Sequence, residues 1–164
     1  MWVAVENWWC KMFISGGKWG NMFLGEHRYT VDPKGRMALP PKFRSILKGG
    51  AIITRGLDSC LFLFGALEWS VLVEKIKALP LTQSDSRAFT RLMFSGAMDV
   101  DIDKQGRILI PDYLRAYAGM KRGAVVIGLI SRVEVWSEER WRTYKGRTEK
   151  NSDRIAESLN DLGI

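Results

Sequence analysis

The sequence writes one element twice. Residues 32–44 read DPKGRMALPPKFR, and residues 103–115 read DKQGRILIPDYLR. At a constant offset of 71, the copies share Asp, Gly, Arg, Pro and Arg at five places. An internal repeat fixes architecture before any local assignment, because each copy is one supersecondary unit that needs a neighbour for its apolar face. Each copy sets an acid, a turn glycine and an arginine together, then a short apolar strand, then a helix opened by proline. An arginine presented beside a turn glycine suits the binding of an anion better than it suits a reaction.

Local patterns extend the repeat. Tyr29 and Val31 give a short strand, residues 32–35 a turn, and Met37 and Leu39 share one face of a second strand. Pro40-Pro41 ends that strand and starts a helix, since proline's missing N–H costs nothing in a first helical turn. Phe43, Ile46 and Leu47 recur at helical spacing, and Gly49-Gly50 stops the helix. Residues 51–54 and 61–64 follow as a β pair around a loop holding Gly56, Asp58 and Ser59. The second copy repeats the order: strands at 98–101 and 107–110, a helix from Pro111 to Gly119, and strands at 125–128 and 133–136. Trp69 and Trp141 follow the two units inside helical segments. Between the units, residues 69–79 and 84–94 form two helices broken at Pro80, with Ser84 as the expected N-cap. Phe62, Phe64, Val135 and Trp136 are assigned to the core or a subunit interface rather than to a ligand pocket.

The predicted organisation is residues 26–69 as unit 1, 70–96 as a helical connector, 97–141 as unit 2 and 142–164 as a polar tail with a frayed helix. Residues 1–21 stand apart, with four of the seven tryptophans and a Gly16-Gly17 break. Residues 16–21 back-translate to a guanine-rich stretch just ahead of the Met22 codon, as a ribosome-binding site would. The reading therefore favours initiation at Met22, with a docking arm and a disordered leader as alternatives.

Charge separates the two copies. The whole chain carries a formal +7, which favours a polyanionic partner. Residues 24–48 hold six cations against two acids, a net +4, whereas residues 97–121 hold four of each. The first copy is thus the better candidate for phosphate. Cys10 and Cys60 have no zinc spacing and no disulfide framework, which fits a reducing cytosol. No apolar run is long enough to span a bilayer, and no secretory signal is read, so no membrane role is expected.

The segments MFLGEHRYTVDPKGRMALPPKFR, DVDIDKQGRILIPDYLRAYAG and RVEVW occur in order, and over residues 22–145 the chain resembles the MraZ family of bacterial transcriptional regulators. The resemblance implies an α+β fold, mainly β with connecting helices. It consists of two tandem swapped-hairpin AbrB-like β-barrel half-units (SpoVT-AbrB type) that form an intrachain pseudo-dimer. It also implies a ring-shaped homo-oligomer that binds short direct repeats in double-stranded DNA upstream of its own division and cell-wall operon. Repression, and a cytoplasmic, nucleoid-associated location, are the expected consequences. A structural ring for division proteins and an AbrB-like antitoxin are the competing readings.

Within the motif, Gly35 and Gly106 permit a tight turn between paired strands. Asp32 and Asp103 are expected to hold the turns by accepting backbone N–H groups, without touching DNA. Arg36 either braces Asp32 or turns its fork to phosphate or a guanine edge. The charge balance favours DNA for Arg36 and the brace for Arg107, whose neighbours are acidic and which stays in the DNA set behind Arg36. Lys34 and Gly35 at the tip and Arg28 on the incoming strand complete the DNA set. Lys42 and Arg44 read as a solvated helix face.

Catalysis finds no support in the sequence. His27 is the only histidine, so neither a Ser-His-Asp triad nor a multi-histidine metal site can be built. It is expected to be an ordinary polar residue near the surface, and Cys60 a buried or loop thiol. Asp99, Asp101 and Asp103 fall at period 2 on one strand, where lining a solvated edge outweighs holding a cation. The chain is read as a non-enzyme with no metal, cofactor or small-molecule substrate.

Overall fold

The structure is a computed structural model and describes residues 22–159. The expectations about residues 1–21 lie outside it. The first repeat supplies β1 (Phe23–Thr30), β2 (Arg36–Ala38), α1 (Pro41–Ile46), β3 (Ala51–Arg55) and β4 (Leu61–Gly65). Helices α2 (Ala66–Lys77) and α3 (Ser84–Gly96) connect it to β5 (Met98–Val100), β6 (Arg107–Leu109), α4 (Asp112–Ala118), β7 (Gly123–Ile130) and β8 (Arg132–Ser137). Two further helices close the described chain, α5 (Glu138–Lys150) and α6 (Ser152–Ser158).

The repeats are interlocked rather than set side by side. One sheet runs β1-β7-β8-β4-β3-β5, and a second contains only β2 and β6. Each repeat's first strand therefore pairs with the other repeat's third: Tyr29 faces Ala124, and Val100 faces Ala51. The small ribbon joins Arg36 to Leu109, Met37 to Ile108 and Ala38 to Arg107, a register that is the same read from either repeat. The large sheet is open, with β1 and β5 at its edges. This is the swapped-hairpin arrangement within one chain. It corrects one expectation: β1 and β2 are not a paired hairpin, and only a Val31–Met37 bridge links them.

Alternation along the strands sorts the core into two faces. Leu61 and Leu63 of β4, with Val133 and Val135 of β8, join Met37, Leu39, Phe43, Ile108, Ile110 and Leu114 in one cluster. Phe62, Phe64 and Trp136 point the other way, beneath Trp69, Phe94, Trp141 and Tyr144 of the helices. Trp69 packs 5.8 Å from Phe64, and Trp141 packs 5.5 Å from Trp136, the equivalent place in the second repeat. The aromatic residues after each motif are core, as expected.

Helix ends follow the local chemistry. Proline opens α1, and Gly119 at φ +61 closes α4 in the left-handed conformation. Ser137 caps α5 by accepting from the Arg140 amide, with Glu138 and Glu139 in the first turn, where the helix dipole favours acids. Ser84 is not the cap of α3. Gln83 holds that position and Ser84 is already helical, its hydroxyl turned to Asp85. Past Trp141 the described chain continues as helix: Trp141 and Tyr144 set α5 against the sheet, and α6 buries no residue.

Candidate nucleic-acid interface

The two turns are the same device built twice. In the first, Asp32 Oδ1 accepts the amides of Lys34 and Arg36, each at 2.9 Å. Its Oδ2 takes Nε and Nη2 of Arg36 at 2.7 and 2.6 Å. In the second, Asp103 Oδ1 accepts Gln105 and Arg107 amides at 2.8 and 2.9 Å, and Oδ2 takes both guanidinium nitrogens of Arg107 at 2.8 Å. Gly35 and Gly106 close the turns at φ +83 and +76, a region that side chains with a Cβ rarely adopt. Both acids thus hold their loops, as their spacing implies, and both arginines are braced on one edge of the fork.

The brace also sets direction. Met37 and Ile108 point into the core, so Arg36, Ala38, Arg107 and Leu109 share the outward face of the ribbon, with the two arginines on a diagonal. Lys34 is exposed at the first tip, where the second carries exposed Lys104 and Gln105. Arg36 keeps 36% of its side chain open against 28% for Arg107, a small bias in the direction the charges favour. Arg28 is not part of this face. It lies on β1, exposed, with its guanidinium on Glu138 at 3.1 Å and Glu26 at 3.9 Å.

The brace has a signature in acid. Hydrogen bonds from the Arg36 amide, then its guanidinium, hold the Asp32 carboxyl at about 2, and the Arg107 amide lowers Asp103 in the same sense. A carboxyl depressed in the folded state contributes stability that is complete above its unfolded value near pH ~4 and lost as pH falls through the folded value. Thermal melts between pH 5 and 2 should therefore show a loss centred below pH ~4 that Asp32→Asn shows less of. Identical acid profiles for parent and variant would remove the brace from the stability of the turn.

Two residues outside the predicted set complete the site. Arg44 is not on a solvated face: it is half-buried, its Nε donates to the Leu39 carbonyl at 2.7 Å, and its guanidinium fills the space where a Cβ on Gly106 would stand. Arg115 does the same for Gly35, with Cζ and Nε 3.1 Å from the corresponding Cβ position. These are the fifth shared residues of the repeat, so the signal was present in the alignment of the copies. Cross-repeat backbone bonds lock the same junction, from Ile110 N to Gly35 O at 2.8 Å and from Leu39 N to Gly106 O at 3.0 Å.

Other candidates fall away from the ribbon. His27 is half-buried and meets Phe43 edge-on, with ring centroids 5.4 Å apart, so it serves packing rather than the surface. Cys60 is buried, donates to the Leu57 carbonyl, and has its thiol pushed far up by desolvation. Asp99, Asp101 and Asp103 do not share a strand, because β5 ends at Val100 and Asp103 has joined the turn. Among the described residues no cluster of His, Cys, Asp and Glu could hold a metal, and no helix is long and apolar enough to cross a membrane.

Exchanged first strands, a shared ribbon and two arginine-braced turns define a swapped-hairpin α+β protein whose two halves lie in one chain. The sequence profile of the family described as "MraZ protein, putative antitoxin-like" matches it twice, at residues 22–92 and 93–162. The chain belongs to the MraZ family. Similar proteins are each called "Transcriptional regulator MraZ". That of Pelotomaculum thermopropionicum is 48% identical over 143 residues, 87% of this chain and 99% of the relative. That of Clostridium beijerinckii is 49% identical over 87% of this chain and all of the relative. That of Limosilactobacillus reuteri is 50% identical over 85% of this chain and 98% of the relative.

Proposed function

We propose that the chain is a sequence-specific DNA-binding transcriptional regulator without catalytic activity, repressing its own division and cell-wall operon through direct repeats in the promoter. The observation that carries this reading is the outward face of the β2–β6 ribbon, where Arg36 and Arg107 are held rigidly beside exposed turn tips. A two-stranded ribbon is of a size the major groove admits, and an arginine fork can meet either phosphate or a guanine edge. The names of the relatives support the regulatory role.

One basic turn set binds DNA weakly at physiological salt. A ring of copies would present several at fixed spacing and convert weak contacts into avidity on repeated sites. Exposed Leu24, Leu129 and Ile130 at the end of the β1–β7 pair offer an apolar surface suited to contact between copies. A cytoplasmic, nucleoid-associated location follows from the same reading. The antitoxin alternative, which the family description also names, needs a free tail to wrap a toxin. Residues 138–158 instead form two helices, the first packed on the sheet, and this favours DNA. The test is binding to DNA from upstream of the protein's own gene in the presence of scrambled duplex.

A further inference from the structure

The arginines that end the repeated motif cross between repeats. Arg115 starts from α4 of the second repeat and lies against Gly35 of the first turn, while Arg44 starts from α1 of the first repeat and lies against Gly106 of the second. Each turn glycine therefore leaves room for a guanidinium as well as taking a positive φ. We infer that Arg115 is a positioning residue for the first repeat's DNA-contacting turn, and that Arg44 plays this part for the second. The inference rests on the proposed DNA role of the first turn.

The two clamps are anchored differently. Arg44 Nε is satisfied by the Leu39 carbonyl of its own repeat. Arg115 Nε is buried without a hydrogen-bond partner among the described residues, and its Nη2 pairs with Asp112 one helical turn earlier. The first repeat has Pro41 where the second has Asp112, and among the described residues an acid ties only the Arg115 clamp. The neutral second repeat thus reaches across to hold the tip that carries Lys34 and Arg36. A guanidinium set against the glycine, with Ile110 N bonded to the same glycine's carbonyl, restrains that tip.

The test is crosswise. Hydrogen exchange followed by mass spectrometry on the full chain should show Arg115→Ala losing protection at residues 34–36, whose amides Asp32 holds, while 105–107 stays protected. Arg44→Ala should give the reverse. On upstream DNA, Arg115→Ala should lower affinity about tenfold and Arg44→Ala less, with the slope of log affinity against log salt unchanged, because no phosphate contact is removed. Arg115→Lys should fail to restore binding, since an ammonium lacks the broad fork that meets both Gly35 and Asp112. Should Arg115→Ala not fold, Asp112→Asn keeps the arginine and frees it from its ion pair, and it should raise exchange at 34–36 and not at 105–107.

Exchange rising in the variant's own turn, or in neither, overturns the clamp. Full rescue by Arg115→Lys, or a salt slope reduced by about one, overturns positioning in favour of charge or direct phosphate contact. Crosswise exchange with DNA binding unchanged in both Arg115→Ala and Arg36→Ala overturns the assignment of the first turn to DNA, and the positioning role with it.

Discussion

Gly35→Ala is expected to destabilise the protein by about 3 kcal/mol, lowering its melting temperature by about 10 °C. Two costs combine. Alanine at φ +83 is strained by roughly 1 kcal/mol or more. Its methyl would also sit 2.8 Å from the Ile110 carbonyl oxygen, a backbone atom already fixed by the bond from Ile110 N to Gly35 O. Neither repeat can retreat without breaking the ribbon that joins them. Gly106→Ala has the same strained φ but meets the side chain of Arg44, which can move, so its cost should be smaller. Gly49→Ala is the matched control, with no positive φ and nothing within 4 Å of the added methyl, and should stay within about 0.5 kcal/mol of the parent. Differential scanning calorimetry of the three variants checks the order. A Gly35→Ala protein as stable as Gly49→Ala would mean that the turn is not locked against the second repeat.

The second large effect concerns binding. Arg36→Ala should weaken binding to upstream DNA at least tenfold, within the roughly 1–3 kcal/mol range of a good arginine contact, and Arg107→Ala distinctly less. The turns have matching brace geometry, so geometry alone does not separate them. Charge does: the segment around Arg36 carries a net +4, and the matching segment around Arg107 carries none. Removing Arg36 also leaves Asp32 unpaired at the tip, where a bare carboxylate repels phosphate. Arg36→Lys isolates the fork, because it keeps the charge and gives up the bidentate geometry. It should recover part of the affinity and little of the sequence preference. Equal losses for Arg36→Ala and Arg107→Ala, in folded and equally oligomeric proteins, would show that the second repeat reads DNA as fully as the first.

Much of this fold is legible in the residues, and the reasons are local. Period-2 alternation placed Met37 and Leu39 on one face, and both are fully buried. Proline marked the start of α1, and Gly119 marked the end of α4. The Asp-to-Arg spacing offered the brace as one of two roles and favoured it only for Arg107, whereas the structure shows it in both copies. What the residues do not reveal is partnership across distance. Alternation tells which way a side chain points, not which strand lies beside it. Thus β1 reads as the mate of β2, whereas it pairs with β7 along its whole length. Arg44 reads as solvated for the same reason: the glycine it covers belongs to the other repeat. His27 reads as polar because its aromatic partner, Phe43, comes from a separate element. In each case a contact between elements overrode the expectation drawn from neighbours in sequence.

The central claim is that the ribbon face recognises particular DNA. Its most direct test is a binding titration of the protein on DNA from upstream of its own gene, with scrambled duplex as competitor, at several salt concentrations. The account predicts a discrete complex that survives excess scrambled DNA and whose affinity falls steeply and log-linearly with salt. Binding that scrambled duplex removes equally well would contradict it, leaving the basic turns as a general polyanion surface and favouring a scaffold role for the protein.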